Sequence, residues 1–513
     1  MEQGRDDSDG HAMTTHANLA HRASRGIIVT MSGLWGRALL QMAATMVLAR
    51  LLTPADFGLI AMVAAIIGVA ELVRDFGMTG AVIQAQDLSE SVWRSVVWLS
   101  ILIGLALSTI VALCAPLIAA LYGEPQLVIL TLVMAPGIFL SGLSMPLQAR
   151  ATREMRFANL AVIDVVSMGG SVVAGIVAAF LGAGVWSLVI MGVTGIVVRL
   201  CMLWYIVRPS FGRPRISREA WPLISTGGSI FGAELLGYAE KNIDNVIIGA
   251  QLGPAVLGQY TRAYSIFLLP LQQMNGPLGR VALPVLSSLR NDGDRYRKYI
   301  RNATLVVGYL TLPTYAAAAG VAQPLISLLL GPGWEVAAVI FGLLAIAGFA
   351  QAIGAVRTWL YISLGHSHRQ FAYDLVARPI VIAGYFVGIA WGGVYGLVIT
   401  YAALSLIMLI PGFGFAIRGT FVRAGDIVGA LPRPVFMAIL TFAASAITSG
   451  LLDAPAILQV LVGAAAAAIV VAPLFLFRQY RTDIATLWGF VRQARRPKKS
   501  ARPEVDLPAR DGD

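Results

Sequence analysis

Charge is what this 513-residue chain has least of. Asp, Glu, Lys and Arg together supply 13% of its residues, about half the share that coats an ordinary water-soluble domain. That scarcity excludes a chain folded in water with a normal polar surface. The 57% apolar content excludes a disordered one. Cysteine is nearly missing. Cys114 and Cys201 both sit inside apolar runs, so there is neither a disulfide framework nor a thiolate zinc site. Of five histidines, His366 and His368 form a short His-x-His with no further ligand clustered in sequence, which reads as a solvated loop and not a metal centre. The chain carries no G-x-x-x-x-G-K-[ST] phosphate loop, no H-E-x-x-H, no C-x-x-C and no G-x-S-x-G. Neither an ATPase, another enzyme, nor a resident cofactor is expected.

Long apolar runs are what the sequence does have, and the mean hydropathy is +0.75. A helix crossing the hydrocarbon core takes about 20 mostly apolar residues. Runs of that kind fall at 27–49, 57–73, 95–118, 126–149, 158–180, 184–207, 221–244, 256–282, 302–325, 335–363, 372–391, 394–417, 434–452 and 455–477. Their unbroken length excludes a transmembrane β-barrel, whose strands alternate over about ten residues. The expected class is an all-α polytopic membrane protein of about 14 helices. The first run has no cleavage pattern and reads as a retained helix after a polar tail, 1–26.

Placing alternate loops on one side puts 30 of the 38 basic residues with the two termini and only Arg50 opposite. Seven lie inside the spans. Lys and Arg mark the cytoplasmic side, so both termini are expected there. The net charge of +11 is then a matter of topology, with anionic lipid headgroups as partners and no nucleic acid required. Loops on the opposite side are short, which leaves no room for an external catalytic domain.

An internal repeat stands out at an offset of 200 residues. Pro54-Ala-Asp-Phe-Gly58 and Pro254-Ala-Val-Leu-Gly258 share the pattern L-x-P-A-x-x-G. Each follows the first helix of a six-helix unit, and each is expected in a tight outer turn, with Pro fixing φ and Gly supplying φ > 0. The implied plan is an N-lobe (27–207), a cytoplasmic linker (208–220), a C-lobe (221–417), two further helices (434–477) and a basic tail (478–513). The tail, basic and then Pro-rich, reads as disordered.

Ionisable groups inside spans are costly and mark functional sites. The basic ones are Arg37, Arg199, Lys241, Arg262, Arg280, Arg357 and Arg378; the acids are Glu71, Asp164, Glu234, Glu240, Asp244 and Asp374. Gly33, Arg37, Gln41 and Thr45 form one stripe, and Glu234, Tyr238, Lys241 and Asn245 another. Arg262, Gln273 and Arg280 share a face of a helix that Pro270 and Pro277 should bend or locally unwind. Arg37, Gln41, Lys241, Arg262, Gln273 and Arg280 are the cavity candidates, because guanidinium binds phosphate bidentately. Glu71, Asp164 and Glu234 are the candidates for ion coupling. Two bland readings stand beside these: Arg199 and Arg357 snorkel or pair across helices, and Asp374 neutralises Arg378 at i, i+4. The Gly-x-x-x-Gly pairs 228/232, 388/392 and 392/396 read as close helix packing.

Several segments resemble one family. They are Leu48-Ala-Arg-Leu-Leu-Thr-Pro-Ala-Asp-Phe-Gly-Leu-Ile-Ala-Met62, Arg74-Asp-Phe-Gly-Met-Thr-Gly-Ala-Val-Ile-Gln84, the stretch from Asn242 to Tyr264, and Arg301-Asn-Ala-Thr-Leu-Val-Val-Gly-Tyr-Leu-Thr-Leu-Pro313. Over roughly residues 25–420 the chain is similar to bacterial polysaccharide transporters of the Wzx type, in the colanic-acid and succinoglycan branch. These belong with MATE antiporters and peptidoglycan lipid flippases in the MOP superfamily. The resemblance implies a two-lobed fold of 12–14 helices in the inner membrane. It implies translocation of undecaprenyl-diphosphate-linked oligosaccharide units for exopolysaccharide, capsule or O-antigen, beside a polymerase and export machinery. It also implies cavity arginines for the lipid diphosphate, for which Arg37, Arg262 and Arg280 are the positional candidates. A MATE-like antiporter, a membrane polymerase or ligase, and a major-facilitator transporter are the alternatives. Residues 74–94 lack the loop pattern of the last.

Overall fold

The structure, a computed structural model, describes residues 40–75, 90–208 and 221–495. Among them there are helices and turns and no strand. Ten of these helices are long and apolar enough to cross a membrane.

Helix boundaries follow from local chemistry. Pro116 and Pro136 stand in the first turns of Ala115–Tyr122 and Pro136–Arg153, where a missing N–H costs nothing. The two helices that run together as Trp221–Ser288 are separated by one residue, Gly253, at φ 79° and ψ 178°. That backbone is open essentially to glycine alone, and Pro254 starts the next helix behind it. Gly392 (φ −149°) and Gly393 (φ 58°) divide Ser367–Ile407 in the same way. Backbone torsions stay helical through Pro270 and Pro277, so the expected local unwinding does not occur. Neighbouring side chains in a packed bundle let a membrane helix absorb proline without breaking.

One compact unit comprises the described residues up to 266 together with 322–344 and 378–404. Its Phe157–Phe180 helix lies along Trp186–Val207. Gly175 makes that possible, since a Cβ there would stand 2.8 Å from Met191 Cβ. Trp93, Val97, Leu147, Ile163 and Leu203 form a buried cluster. Gly388 and Gly396 face each other backbone to backbone, as the packing reading anticipates, while Gly392 serves the turn between them. Gly228 and Gly232 have side-chain positions outside the described ones.

The other unit comprises 267–321, 345–377 and the described residues from 405 onward. Gly293–Gly320 packs on Pro432–Leu451, which packs on Ala456–Val471. Asp292 caps the first of these, accepting from the Arg295 N–H at 3.1 Å. Arg297 grips Asp426 with two bonds, Nε at 2.8 Å and Nη2 at 3.1 Å, and so ties down the short helix Ala424–Val428.

The tail departs from expectation. Arg478–Arg495 is a helix, not a disordered segment, and residues 496–513 lie outside the described ones. Composition hides an apolar periodicity at Tyr480, Ile484, Leu487 and Val491. Tyr480 packs edge to face on Tyr309, centroids 6.3 Å apart. Asp483, 6% exposed, accepts from Arg433 Nη1 at 2.7 Å and from the Tyr309 hydroxyl at 2.9 Å. Asp483→Ala strips Arg433 and Tyr309 of their shared acceptor. It is expected to cost about 2–3 kcal/mol, less than for a fully buried pair because Arg433 is partly exposed. A lowered unfolding midpoint in detergent, with faster proteolytic trimming after residue 477, is the readout.

Candidate transport site

Pro54 and Pro254 begin helices, and Gly58 and Gly258 lie within the first turns that follow. The expected tight turns with φ > 0 at these glycines are therefore not what forms. The two repeats meet each other instead. A Cβ on Gly58 would overlap the Pro254 carbonyl oxygen and lie 2.8 Å from Pro254 Cα. A Cβ on Gly258 would overlap the Pro54 oxygen and lie 3.1 Å from the Gly58 nitrogen. Each motif thus supplies a glycine that receives the other's proline turn. The reason for Gly is close backbone approach, and the contact is reciprocal, as a two-fold repeat requires.

Beside this crossing the chain builds an aromatic and cationic cluster. Trp334 is 2% exposed and donates its indole N–H to the Ala49 carbonyl at 3.0 Å. Phe57 meets it edge to face, centroids 5.5 Å apart. Arg262 lays its guanidinium over Phe57, 4.9 Å from the ring centroid. Its Nε is buried with no hydrogen-bond partner, and no acid pairs with it among the described residues. Gln259 fixes the connecting segment, donating to the Gly333 carbonyl at 2.6 Å and accepting from the Ala337 N–H at 2.9 Å. Arg50 donates to the Leu328 carbonyl at 2.7 Å. The result is a guanidinium held by a π-face, with its charge uncompensated by any carboxylate among the described residues.

The other intramembrane bases are mostly spoken for. Arg199 stands 2.8 Å from Asp164, too misaligned for a hydrogen bond to that oxygen, and donates to Gln148 at 3.1 Å. Arg378 pairs with Glu240 at 3.1 Å. In the second unit Arg357 repeats the Arg262 arrangement. It stacks on Tyr373 at 4.7 Å, its Nε is buried and unpartnered, and Gly412 makes room for it. Arg357 therefore belongs among the candidates, with burial plus an aromatic neighbour as the signal. Lys241 and Arg280 are exposed, and Gln273 is half-buried. Gln41 is exposed, and its carbonyl accepts from the Thr45 hydroxyl at 2.9 Å. Arg37 lies outside the described residues, as does the side chain of Glu234. Tyr238, one helical turn from that position, points at a neighbouring helix and donates to the Ala65 carbonyl at 3.0 Å, over Gly68. Glu71 has only a 3.7 Å approach to Arg74.

Among the intramembrane acids, Asp244 stands out by its burial. It is 3% exposed. Its carboxylate accepts from the Tyr260 hydroxyl at 2.5 Å and from the Asn245 N–H at 2.8 Å. Tyr264 stacks on Tyr260 at 5.7 Å, and Tyr385 and Tyr401 meet at 5.8 Å nearby. Among the described residues no cation pairs with it. Nothing in its spacing separates it from five other intramembrane acids.

Residues 47–339, more than half of the chain, match the family described as polysaccharide biosynthesis protein. The chain belongs to this family. As a polysaccharide biosynthesis protein it is 22% identical over 390 residues to the lipopolysaccharide biosynthesis protein WzxC of Escherichia coli strain K12, covering 75% of this chain and 78% of that one. It is 26% identical over 345 residues to the succinoglycan biosynthesis transport protein ExoT of Rhizobium meliloti strain 1021, covering 65% and 67%. Its fold matches the inward closed conformation of the lipid II flippase MurJ with a TM-score of 0.68 at 14% identity, covering 88% of this chain and 99% of that one. It also matches an inward-facing MATE multidrug transporter of the MOP superfamily at TM-score 0.57 and 14% identity, covering 76% and 97%. The chain is thus a multi-pass membrane protein of MATE-like fold, and the major-facilitator alternative falls away.

Proposed function

We propose that this protein is a flippase that carries undecaprenyl-diphosphate-linked oligosaccharide repeat units across the bacterial inner membrane by alternating access. Fourteen spans in a six-plus-six-plus-two plan, with both termini cytoplasmic, complete the reading. Membership of the polysaccharide biosynthesis family, with a relative named as a succinoglycan transport protein, carries it. The chemistry agrees. Sugars and a diphosphate cannot enter hydrocarbon unaided, whereas a polyprenyl tail stays in lipid. Arg262, with its Nε buried and no acid paired with it among the described residues, is the guanidinium best placed to meet the diphosphate. With no ATP-binding loop in the sequence, the work comes from an ion gradient, the membrane potential or downstream consumption. Asp164 is held by Arg199, so we assign proton coupling to Asp244 ahead of it, with Glu71 and Glu234 as further candidates.

Deleting the gene is expected to stop polysaccharide export and to strand lipid-linked repeat units on the cytoplasmic leaflet. Undiminished export in a strain without a paralogue overturns the assignment. Arg262→Ala is expected to lower export about tenfold or more, with Arg262→Lys intermediate because ammonium keeps the charge but not the planar fork. Arg280→Ala is expected to do less, since Arg280 is exposed.

One observation favours a second reading. Asp244 among Tyr260, Tyr264 and Tyr385 is the acid in aromatic surroundings that a cation antiporter of MATE type would need. Resistance to cationic drugs on overexpression, with export untouched by deletion, would select it.

A further inference from the structure

The two histidines that the sequence sets apart are not alone in space. Past the end of the Trp221–Ser288 helix, Arg290 reaches the turn that opens the Ser367–Ile407 helix. A Cβ on Gly365 (φ 75°) would sit 3.4 Å from both terminal nitrogens of Arg290. The rings of His366 and His368 meet edge to face there, centroids 6.2 Å apart at 81°. Arg369 closes the group, with its Nη1 donating to the Arg418 carbonyl at 2.6 Å. Two chain segments, at 290 and at 366–369, therefore bring four basic side chains together.

The charge in this cluster is uncompensated. Among the described residues no carboxylate pairs with any of the four. Asp292, close by in sequence, is engaged with Arg295 at 3.2 Å. Among the described residues the Arg290 side chain makes no hydrogen bond, and the buried Nδ1 of His366 has no partner. Burial comes first, then Arg369, His368 and Arg290, in holding the His366 imidazolium below the ordinary histidine range. These three are the charged groups that act on it, and all are cations.

We propose that Arg290, His366, His368 and Arg369 form a binding site for a phosphate-class anion. The free guanidinium of Arg290 offers two parallel N–H groups, and a protonated His366 offers Nδ1–H to a third oxygen. The ligand's source is either the headgroup of an anionic phospholipid or a soluble diphosphate. An anion here favours the imidazolium, so its binding takes up a proton and tightens as pH falls through the histidine range. The proposed site shares no residue with the crossing or with the Arg262 cluster, and does not rest on the direction of transport.

The test uses full-length protein in phosphatidylcholine nanodiscs. Radiolabelled inorganic diphosphate is titrated at pH 5.5 and 7.5. Retention of added phosphatidylglycerol is read by native mass spectrometry. Saturable binding of either probe is expected, tighter at pH 5.5 and about tenfold weaker in Arg290→Gln, with Arg295→Gln unchanged. The pH difference should vanish in His366→Gln/His368→Gln. Diphosphate binding alone points to a soluble ligand. Phosphatidylglycerol retention that diphosphate displaces points to a headgroup. If wild type and Arg290→Gln bind both probes equally, or neither probe binds, the site is abandoned. Because Arg290 makes no side-chain bond among the described residues, its variant is expected to fold, and an unchanged unfolding midpoint checks that.

Discussion

Gly58→Ala is expected to abolish export while leaving a full-length, membrane-inserted protein. The added methyl would overlap the Pro254 carbonyl oxygen, and Pro254 Cα stands 2.8 Å away. A backbone carbonyl at a helix start cannot rotate aside as a side chain would, so the two turns must separate. Overpacking of this kind costs about 1–3 kcal/mol. The proposed transporter alternates between arrangements of similar free energy, so such a penalty moves the balance about ten- to a hundredfold away from the one in which the turns touch. Gly258→Ala is expected to do the same through Pro54, and the double variant to add little once the turns have parted. Export assays paired with immunoblotting of the membrane fraction decide it. Wild-type export from Gly58→Ala would mean that transport does not need this crossing.

Asp244 carries the second large effect. Asp244→Asn keeps the size of the side chain and an oxygen for the Tyr260 hydroxyl, but it can no longer gain or lose a proton. Folding is expected to change by less than about 1 kcal/mol, and gradient-driven transport to fall at least tenfold with loss of its dependence on external pH. Asp244→Ala differs in kind. It strands the Tyr260 hydroxyl in a buried place, at about 1–3 kcal/mol, and leaves a cavity besides, so the amount of folded protein should drop. Transport in proteoliposomes under an imposed pH gradient, set against unfolding midpoints, separates charge from packing. An Asn variant that still couples would move the proton site elsewhere, to Glu71 first.

How far the sequence reaches is clear from particular elements. The apolar run expected at 158–180 is the helix Phe157–Phe180, and that at 335–363 is Glu335–Ser363. A membrane helix satisfies its own backbone, so length and hydropathy suffice to place it. The break expected between 244 and 256 falls on the single residue Gly253, which takes a φ of 79° that glycine allows, with Pro254 suited to the first turn that follows. The repeated L-x-P-A-x-x-G was legible as a repeat. Its meaning was not, since a glycine needed for φ > 0 and one needed for close approach look the same in a string of letters. The tail misled for a related reason. Its composition is that of a solvated segment, and only the partners Tyr309 and Arg433 show why Tyr480 and Asp483 turn inward.

Charge pairing was the part no pattern could give. Arg199, Arg262, Arg357 and Arg378 are alike in sequence, each one basic residue in an apolar run. Contacts between helices, adjacent in the chain for Arg199 and Arg357 and distant for Arg262 and Arg378, assign two of them to acids and two to aromatic faces. By itself the sequence determined a bundle of membrane-spanning helices, the duplication within it and the uneven placement of its few charges, because those depend on transfer from water to lipid, residue by residue. Only the tertiary structure decided which of those charges are neutralised, which acid is buried without a cation, and that the repeated turns touch. Each of these is a distance between residues that the chain alone leaves free.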